Sequence, residues 1–333
     1  MKICIVGVGA IGGFIGTRLA AAGGAEVTAV ARGATLNALR THGWRLRQGD
    51  RLTQVPARAS SRPADLGVQD LVVVAVKGPS LTGLAPELAP LLGPHTAVMP
   101  AMNGVPWWFC QGQPAVGGAP LHSVDPGGAI ARVIALPRVI GCVVHASTST
   151  VEPGVVQHHQ GQGLIIGEAV VNSAGGTSER VQQLAALLTG AGFDTTQSAD
   201  VRQDIWYKLW GNLTMNPVSA MTGATIDRVL ADPLVRDFCS AVMQEAAAIG
   251  RSIGCPVAQS PQDRHAVTAR LGAFKTSMLQ DVQAGRAIEL DAIVTAVYEI
   301  GQRLGHATPH TAALLGLARL FGRVQGLYPP FAP

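Results

Sequence analysis

In residues 1–16, MKICIVGVGAIGGFIG, an apolar run leads into three glycines with the spacing G-x-G-x-x-G. Ile3 to Val6 predict a buried strand, and the residues after Gly12 predict a helix. Gly7 permits a tight turn, Gly9 lets a pyrophosphate approach the backbone, and Gly12 lets the helix pack on the strand. The amides at the helix start and the helix dipole then favour phosphate. The stretch therefore predicts a dinucleotide-binding loop rather than a plain glycine-rich turn. The loop residues are Gly7, Val8, Gly9, Ala10, Ile11 and Gly12.

Length and composition predict a folded, non-membrane protein. The chain has 333 residues, of which 47% are hydrophobic and 14% charged. This length suits two domains, and the apolar content suits a large core. No apolar run reaches membrane-spanning length, and the N-terminus lacks a signal-peptide pattern. We therefore expect a cytoplasmic protein that does not bind membranes.

The charges and cysteines exclude several classes of partner. The net charge is +4, only four residues are lysine, and no basic block suggests nucleic acid, so a small anionic ligand is favoured. The five cysteines are scattered, which predicts reduced, mostly buried thiols. His158 and His159 are adjacent, and the pair His306 and His310 straddles Pro309. We therefore expect no metal site.

A second strand, Glu26 to Ala31, ends at Arg32. A fold that binds NAD usually has an acidic residue about 20 positions after the glycines, on the ribose 2′-hydroxyl. An arginine at this place would instead pair with a 2′-phosphate. Arg32 therefore predicts NADP(H); the alternative is a solvated charge at a strand end.

Two further strands end in polar residues. Asp70 to Val76 is a continuous apolar strand that ends at Lys77, and Ala97 to Met102 ends at Asn103. Ligands of open α/β sheets bind at the carboxyl ends of the strands. Lys77 could therefore contact the cofactor or be a surface lysine. Asn103 could bind a carbonyl or ribose, or simply form a turn with Gly104.

The remaining pattern predicts an α/β Rossmann domain, residues 1–199, and an all-α domain, residues 200–333. Residues 138–168 predict antiparallel strands that extend the first sheet, and residues 106–129 predict a loop. Its aromatics Trp107, Trp108 and Phe109 could pack in a core or line a substrate pocket. Helices are predicted over 81–92, 177–190, 205–215, 233–249, 268–284, 290–304 and 310–323.

A polar stripe marks the first long helix of the second half. Lys208, Asn212 and Asn216 are four residues apart and so share one face of an otherwise apolar helix. Pro217 should bend or end that helix at Asn216. A lysine in a desolvated cleft can act as a general acid. The alternative is a solvated polar face.

A second cluster combines Ser277, on a predicted helix, with Glu289, just before the next helix. Glu289 could orient Lys208 or bind a substrate hydroxyl. It could also be no more than a carboxylate at a helix N-terminus.

These residues resemble the ketopantoate reductases (2-dehydropantoate 2-reductases). The resemblance rests on the opening GVGAIGG, on Lys77 at a strand end, on the MNGV loop that begins at Met102, and on two longer segments. They are KLWGNLTMNPVSAMTG, from Lys208, and KTSMLQDVQAGRAIELD, from Lys275. The Lys-x3-Asn-x3-Asn and Ser-Met-Leu-Gln-Asp…Glu-x-Asp patterns are the specific part. Residues 106–129 look longer than in compact members of the family.

The resemblance implies an active site between a Rossmann domain and a helical domain, and reduction of ketopantoate to pantoate by NADPH. It implies Lys208 as general acid and Glu289 as a catalytic and substrate-supporting residue. The implied substrate-binding residues are Asn103, Asn212, Asn216 and Ser277, and the implied NADPH-binding residues are the glycine loop, Arg32, Lys77 and Asn103. A homodimer is also an expectation from the resemblance.

Two other functions fit parts of the sequence. A related NADPH-dependent reductase could act on a different 2-oxo acid or a polyol phosphate, although the Ser277 and Glu289 cluster argues against a glycerol-phosphate enzyme. A non-catalytic NADPH-binding regulator is a further alternative. It would not need a proton donor such as Lys208.

Overall fold

A computed structural model describes residues 1–170 and 176–330 of the chain, and these residues form ten β-strands and twelve α-helices. The strands are β1 (Lys2–Val6), β2 (Glu26–Val30), β3 (Trp44–Gln48), β4 (Arg51–Val55), β5 (Arg58–Ser60), β6 (Gln69–Val74), β7 (Leu92–Pro100), β8 (Ile140–Glu152), β9 (Val155–Glu168) and β10 (Asp194–Gln197). The helices are α1 (Ala10–Ala22), α2 (Gly33–His42), α3 (Gly78–Leu84), α4 (Ala129–Val133), α5 (Glu179–Gly190), α6 (Val201–Thr222), α7 (Ile226–Ala231), α8 (Pro233–Ser252), α9 (Pro261–Ala269), α10 (Ser277–Gln283), α11 (Ala296–Arg303) and α12 (Pro309–Val324). Among the described helices, none combines the length and apolarity needed to cross a membrane.

The first sheet has five parallel strands in the order β5-β2-β1-β6-β7. β1 lies at its centre, and Ile3 to Val6 are fully buried because neighbours pair with both edges. The strand order reverses between β1 and β6, which is the topological switch point where ligands bind in doubly wound sheets. The predicted Rossmann-type sheet is confirmed.

The prediction that residues 138–168 extend this sheet is wrong. β8 and β9 form an antiparallel pair in a second sheet, where β9 also pairs in parallel with β3 and β10, and β4 pairs with β3. An isolated bridge, Val98 with Val139, links β7 to the residue just before β8. The prediction failed because apolar alternation shows that a strand is half-buried but does not identify its partner.

Small residues on α1 explain how the second sheet packs. A Cβ at Gly13 would lie 2.5 Å from Val156 Cγ2, and a Cβ at Gly16 would lie 2.4 Å from the ring of Trp44. Both neighbours belong to strands of the second sheet. α1 therefore contacts strands of both sheets, and its glycines allow the second sheet to approach closely.

Two compact units divide the described chain. Residues 1–103 and 127–204 form the first unit, and residues 104–126 and 205–333 form the second, apart from the undescribed positions. Residues 104–126 thus belong with the helices of the second half in this division. The domains expected from the sequence, 1–199 and 200–333, stay a prediction.

Hydrogen bonds and aromatic packing hold residues 104–126 in the second unit. The carboxylate of Glu299 accepts the backbone N–H groups of His122 and Ser123 at 2.8 and 2.9 Å. Arg303 donates to the carbonyls of Ala119 and Pro120 at 3.0 and 2.7 Å. The three adjacent aromatics are at most 1% exposed, so they pack in a core; they are Trp107, Trp108 and Phe109.

The helices predicted over 268–284, 81–92 and 205–215 have other bounds in the structure. The single helix expected over 268–284 does not form, because α9 ends at Ala269 and α10 begins only at Ser277. Thr276 caps α10 by accepting the N–H of Leu279 at 3.2 Å. The helix expected over 81–92 is α3 followed by a 3-10 turn, Ala85–Leu91, that contains Pro90. α6 does not end at Asn216 but continues through Pro217 to Thr222.

Candidate active site

The glycine loop between β1 and α1 leaves no room for side chains at two of its glycines. Gly7 has a φ of +91°, and a Cβ there would lie 2.4 Å from Val76 Cγ1. A Cβ at Gly12 would lie 1.9 Å from the carbonyl oxygen of Gly7. Gly9, the exposed N-cap of α1, has nothing within 4 Å of its Cβ position, so its surroundings are open.

The start of α1 suits a negatively charged ligand. Its first turn contains no acidic residue, and no side chain caps its amides. Its N–H groups and the positive end of its dipole are therefore available to an anion. The loop residues between the glycines are partly covered, with Val8 buried and Ala10 and Ile11 half-buried. This cradle fits the pyrophosphate of a dinucleotide.

The ends of three neighbouring strands lie beside this loop. The N–H of Ala75 donates to the carbonyl of Val6 at 2.8 Å, which places the β6 end against the glycine turn. Lys77 follows as the half-buried N-cap of α3. The N–H of Ala101 donates to the carbonyl of Val74 at 2.8 Å, and the half-buried Asn103 follows. The carboxyl ends of β1, β6 and β7 therefore bring the glycine loop, Lys77 and Asn103 to one edge of the sheet.

Arg32 lies at the same edge, on the other side of β1. It is the exposed N-cap of α2 and follows β2, which pairs with β1. The first turn of α2 contains no acidic residue. The position is open to an anion.

The predicted polar stripe lies on α6. Lys208 and Asn212 are half-buried, and Asn216 is only 4% exposed. The amide nitrogen Nδ2 of Asn216 is buried and has no hydrogen-bond partner among the described residues. An unpaired buried donor costs about 1–3 kcal/mol. Such a donor is available to a bound water or to a ligand.

The structure places both residues of the second cluster near helix starts. Ser277 is the exposed first residue of α10, and its neighbour Thr276 caps that helix. Glu289 is half-buried and lies between α10 and a π-helical turn, Asp291–Thr295. Single π-helical turns often occur at functional sites. The apolar spacing of residues 290–304 predicts an ordinary helix and carries no signal for this turn.

Two distant segments of the chain contact the π-helical turn, one at residues 104–105 and the other at Tyr328. The N–H of Val105 donates to the carbonyl of Ala292 at 2.7 Å. Gly104 has a φ of +81°, and a Cβ there would lie 2.4 Å from that same carbonyl oxygen. The hydroxyl of Tyr328 donates to Asp291 Oδ1 at 2.6 Å. Burial and this hydrogen bond raise the pKa of Tyr328 above its ordinary value, so the phenol stays a donor.

The histidine pairs of the sequence have other partners in the structure. Residues 1–170 and 176–330 contain no group of three or more His, Cys, Asp or Glu side chains that could hold a metal ion. Each of the four histidines considered above contacts another group: His158 stacks on Phe14, and His159, His306 and His310 contact Ser149, Ser252 and Glu245. All five cysteines lie among the described residues, where they are buried and form no disulfide, and burial raises the pKa of Cys4 to about 12.

Two family models match the chain. The model described as "Ketopantoate reductase PanE/ApbA" matches residues 3–117, and its C-terminal counterpart matches residues 200–321. Together they include the glycine loop, Asn103, the α6 stripe, Ser277 and Glu289.

Named relatives extend the match over the whole chain. A 2-dehydropantoate 2-reductase of Mesorhizobium japonicum is 42% identical over 329 residues, which are 98% of this chain and 100% of the relative. A crystal structure of a candidate ketopantoate reductase from Ralstonia solanacearum MolK2 is 52% identical, with a TM-score of 0.93 over 98% of this chain and 99% of that one. A PanE/ApbA family ketopantoate reductase from Ralstonia eutropha JMP134 is 28% identical, with a TM-score of 0.81 over 98% and 100%. The chain belongs to the ketopantoate reductase family.

Proposed function

We propose that this chain reduces 2-dehydropantoate (ketopantoate) to (R)-pantoate with NADPH, a step in the biosynthesis of pantothenate and coenzyme A. The observation that carries the proposal is the 42% identity to a 2-dehydropantoate 2-reductase, which extends over nearly all of both chains. The family uses NADPH.

The first unit would hold the cofactor. The glycine loop and the α1 amides would bind the pyrophosphate, because the loop has no space for side chains at Gly7 and Gly12 and no acidic residue in the first turn of α1. Arg32 would pair with the 2′-phosphate, and Lys77 and Asn103 would contact the cofactor from the ends of β6 and β7. When bound, NADPH supplies the hydride.

The second unit would supply the proton and most substrate contacts. Lys208 would donate a proton to the substrate oxygen that becomes the hydroxyl of pantoate. Glu289 would support Lys208 and the substrate. Asn103, Asn212, Asn216 and Ser277 would bind the substrate's carboxylate, carbonyl and hydroxyl groups, and the unpaired amide of Asn216 supports this assignment. The position of the active site between the two domains stays a prediction from the sequence.

The test follows NADPH absorbance with ketopantoate and with a panel of other 2-oxo acids. We expect ketopantoate to give the highest kcat/KM. A clear preference for another 2-oxo acid would leave the reaction type intact but contradict the substrate. Absence of turnover with every substrate, with NADPH still bound, would favour the non-catalytic regulator.

Two further properties are proposed from the family resemblance. We expect a cytoplasmic homodimer. Light scattering on the eluting protein should then give twice the 34.4 kDa mass of one chain. A mass of one chain at micromolar concentration would contradict the dimer.

A further inference from the structure

A second arginine lies beside Arg32 at the edge of the first sheet. β2 and β5 are parallel neighbours, and their last paired residues are Val30 and Ser60. The N–H of Ala31 donates to the carbonyl of Ser60 at 3.1 Å, which continues the contact past those residues. Arg32 lies two residues after Val30, and Arg62 lies two residues after Ser60. Both backbones are extended there, with φ values of −133° and −109°. The two arginines therefore leave adjacent strands at the same level.

Arg62 is oriented by its own loop. Its Nε and Nη2 groups donate to Oδ1 of Asp65 at 3.2 and 2.7 Å. Ser60 Oγ donates to the other oxygen of Asp65 at 2.6 Å and accepts the backbone N–H of Arg62 at 3.1 Å. The side chain of Arg62 is nevertheless 76% exposed. Asp65 thus binds the Nε and Nη2 side of the guanidinium, and the rest of the group is exposed to solvent.

The surroundings of the pair favour a doubly charged anion. Arg32 caps α2, whose first turn has no acidic residue and whose amides have no side-chain cap. Asp65 is the acidic group bonded to Arg62, and its two oxygens already accept bonds from Arg62 and Ser60. Two guanidinium groups and a helix N-terminus are the usual partners of a phosphate.

We propose that Arg62 is a second binding residue for the 2′-phosphate of NADPH, beside Arg32, and so helps to select NADPH over NADH. The inference rests on the proposed use of Arg32 as the first such residue. An arginine that merely ties the loop after β5 through Asp65 would predict no effect on 2′-phosphate binding.

The test measures binding rather than turnover. The full chain is titrated calorimetrically with adenosine 2′,5′-bisphosphate and, separately, with 5′-AMP, which lacks the 2′-phosphate. The difference between the two Kd values reports the contribution of the 2′-phosphate subsite. Arg62→Ala should raise the Kd of the bisphosphate about tenfold, equivalent to about 1.4 kcal/mol, and change that of 5′-AMP less than about twofold. Arg51→Ala, an exposed arginine at the start of β4 in the second sheet, removes the same charge elsewhere and should change neither.

A double variant separates two causes of a weaker Kd. Removing Arg62 alone leaves the Asp65 carboxylate with its bond from Ser60 but without its arginine partner, and that negative charge would repel the phosphate. Arg62→Ala with Asp65→Asn should stay about tenfold weaker than the wild type if Arg62 itself binds. Recovery of wild-type Kd in the double variant would overturn the proposal, as would an unchanged Kd in Arg62→Ala.

Arg32→Ala distinguishes this inference from the one it rests on. If Arg32→Ala weakens the bisphosphate and Arg62→Ala does not, only the Arg62 inference fails. If the wild type binds the bisphosphate no better than 5′-AMP, the 2′-phosphate site at Arg32 fails as well.

Discussion

Asn216→Ala should stabilise the protein and impair it at the same time. Asn216 lies on α6, is 4% exposed, and has a buried Nδ2 group without a partner in the described residues. Removing that unpaired donor should gain about 1–3 kcal/mol. Alanine gains roughly 0.5 kcal/mol of helix propensity, and the lost packing costs about 1 kcal/mol. The free energy of unfolding should therefore rise by about 0.5–2.5 kcal/mol, whereas most buried substitutions lower it by about 1 kcal/mol.

Although Asn216→Ala should raise stability, it should lower catalytic efficiency. A hydrogen bond to a charged group contributes about 1.5–3 kcal/mol, so loss of the amide should lower kcat/KM for ketopantoate by about 10- to 100-fold. Thermal unfolding of the unliganded protein and steady-state kinetics on the same preparation measure both effects. Each kcal/mol should shift Tm by about 2 °C in a chain of this size.

Ser219 on the same helix provides the matched control. It is also fully buried, but its hydroxyl donates to the carbonyl of Ala224 at 2.6 Å. Ser219→Ala should therefore lower stability by about 1 kcal/mol and leave KM unchanged. If Asn216→Ala lowers Tm as Ser219→Ala does and leaves kcat/KM intact, Asn216 is a packing residue and its role as a substrate ligand is refuted.

Three other outcomes are expected. Lys208→Ala should lower kcat by about 10²–10⁴, measured by NADPH absorbance at saturating substrate, and near-normal turnover would exclude it as the general acid. Gly104→Ala should lower Tm, because alanine at a φ of +81° costs about 1–3 kcal/mol and its Cβ would clash with the carbonyl of Ala292; an unchanged Tm would contradict the close approach. Burial acts to raise the pKa of Glu299, but its hydrogen bonds from Ser123, His122 and Arg303 outweigh burial and lower it. Because its pKa is lower in the folded state, ionised Glu299 stabilises the fold at pH values above its ordinary pKa of 4.5. This stabilisation is lost as the pH falls through the folded-state pKa. Below pH 4.5, the Tm of the wild type should therefore fall more steeply than the Tm of Glu299→Gln. Parallel curves would contradict this.

Local patterns predicted the elements that carry the candidate site. The strand, glycine loop and helix of residues 1–16 were predictable because each glycine has a local steric reason. Lys208, Asn212 and Asn216 were predictable as one face because the helical period alone decides it. The Rossmann-type sheet follows from alternating strands and helices.

Features that depend on distant partners were not predictable. The second sheet depends on the space that Gly13 and Gly16 leave for Val156 and Trp44, and nothing in the local pattern names those partners. The π-helical turn at Asp291 depends on contacts from Gly104 and Tyr328, far away in sequence. The position of Arg62 beside Arg32 depends on the strand order, which a single sequence does not reveal.

The membership of residues 104–126 in the second unit has a consequence for synthesis on the ribosome. Phe109 stacks with Trp206 at a centroid distance of 5.9 Å, yet nearly a hundred residues must be translated before Trp206 exists. At about 5–20 residues per second, that delay is roughly 5–20 s. During it, the apolar surface of Trp107, Trp108 and Phe109 lacks the helices that later bury it. A chain stalled or truncated near residue 204 should therefore be prone to aggregation and to chaperone capture, even though the strands of its first unit are complete.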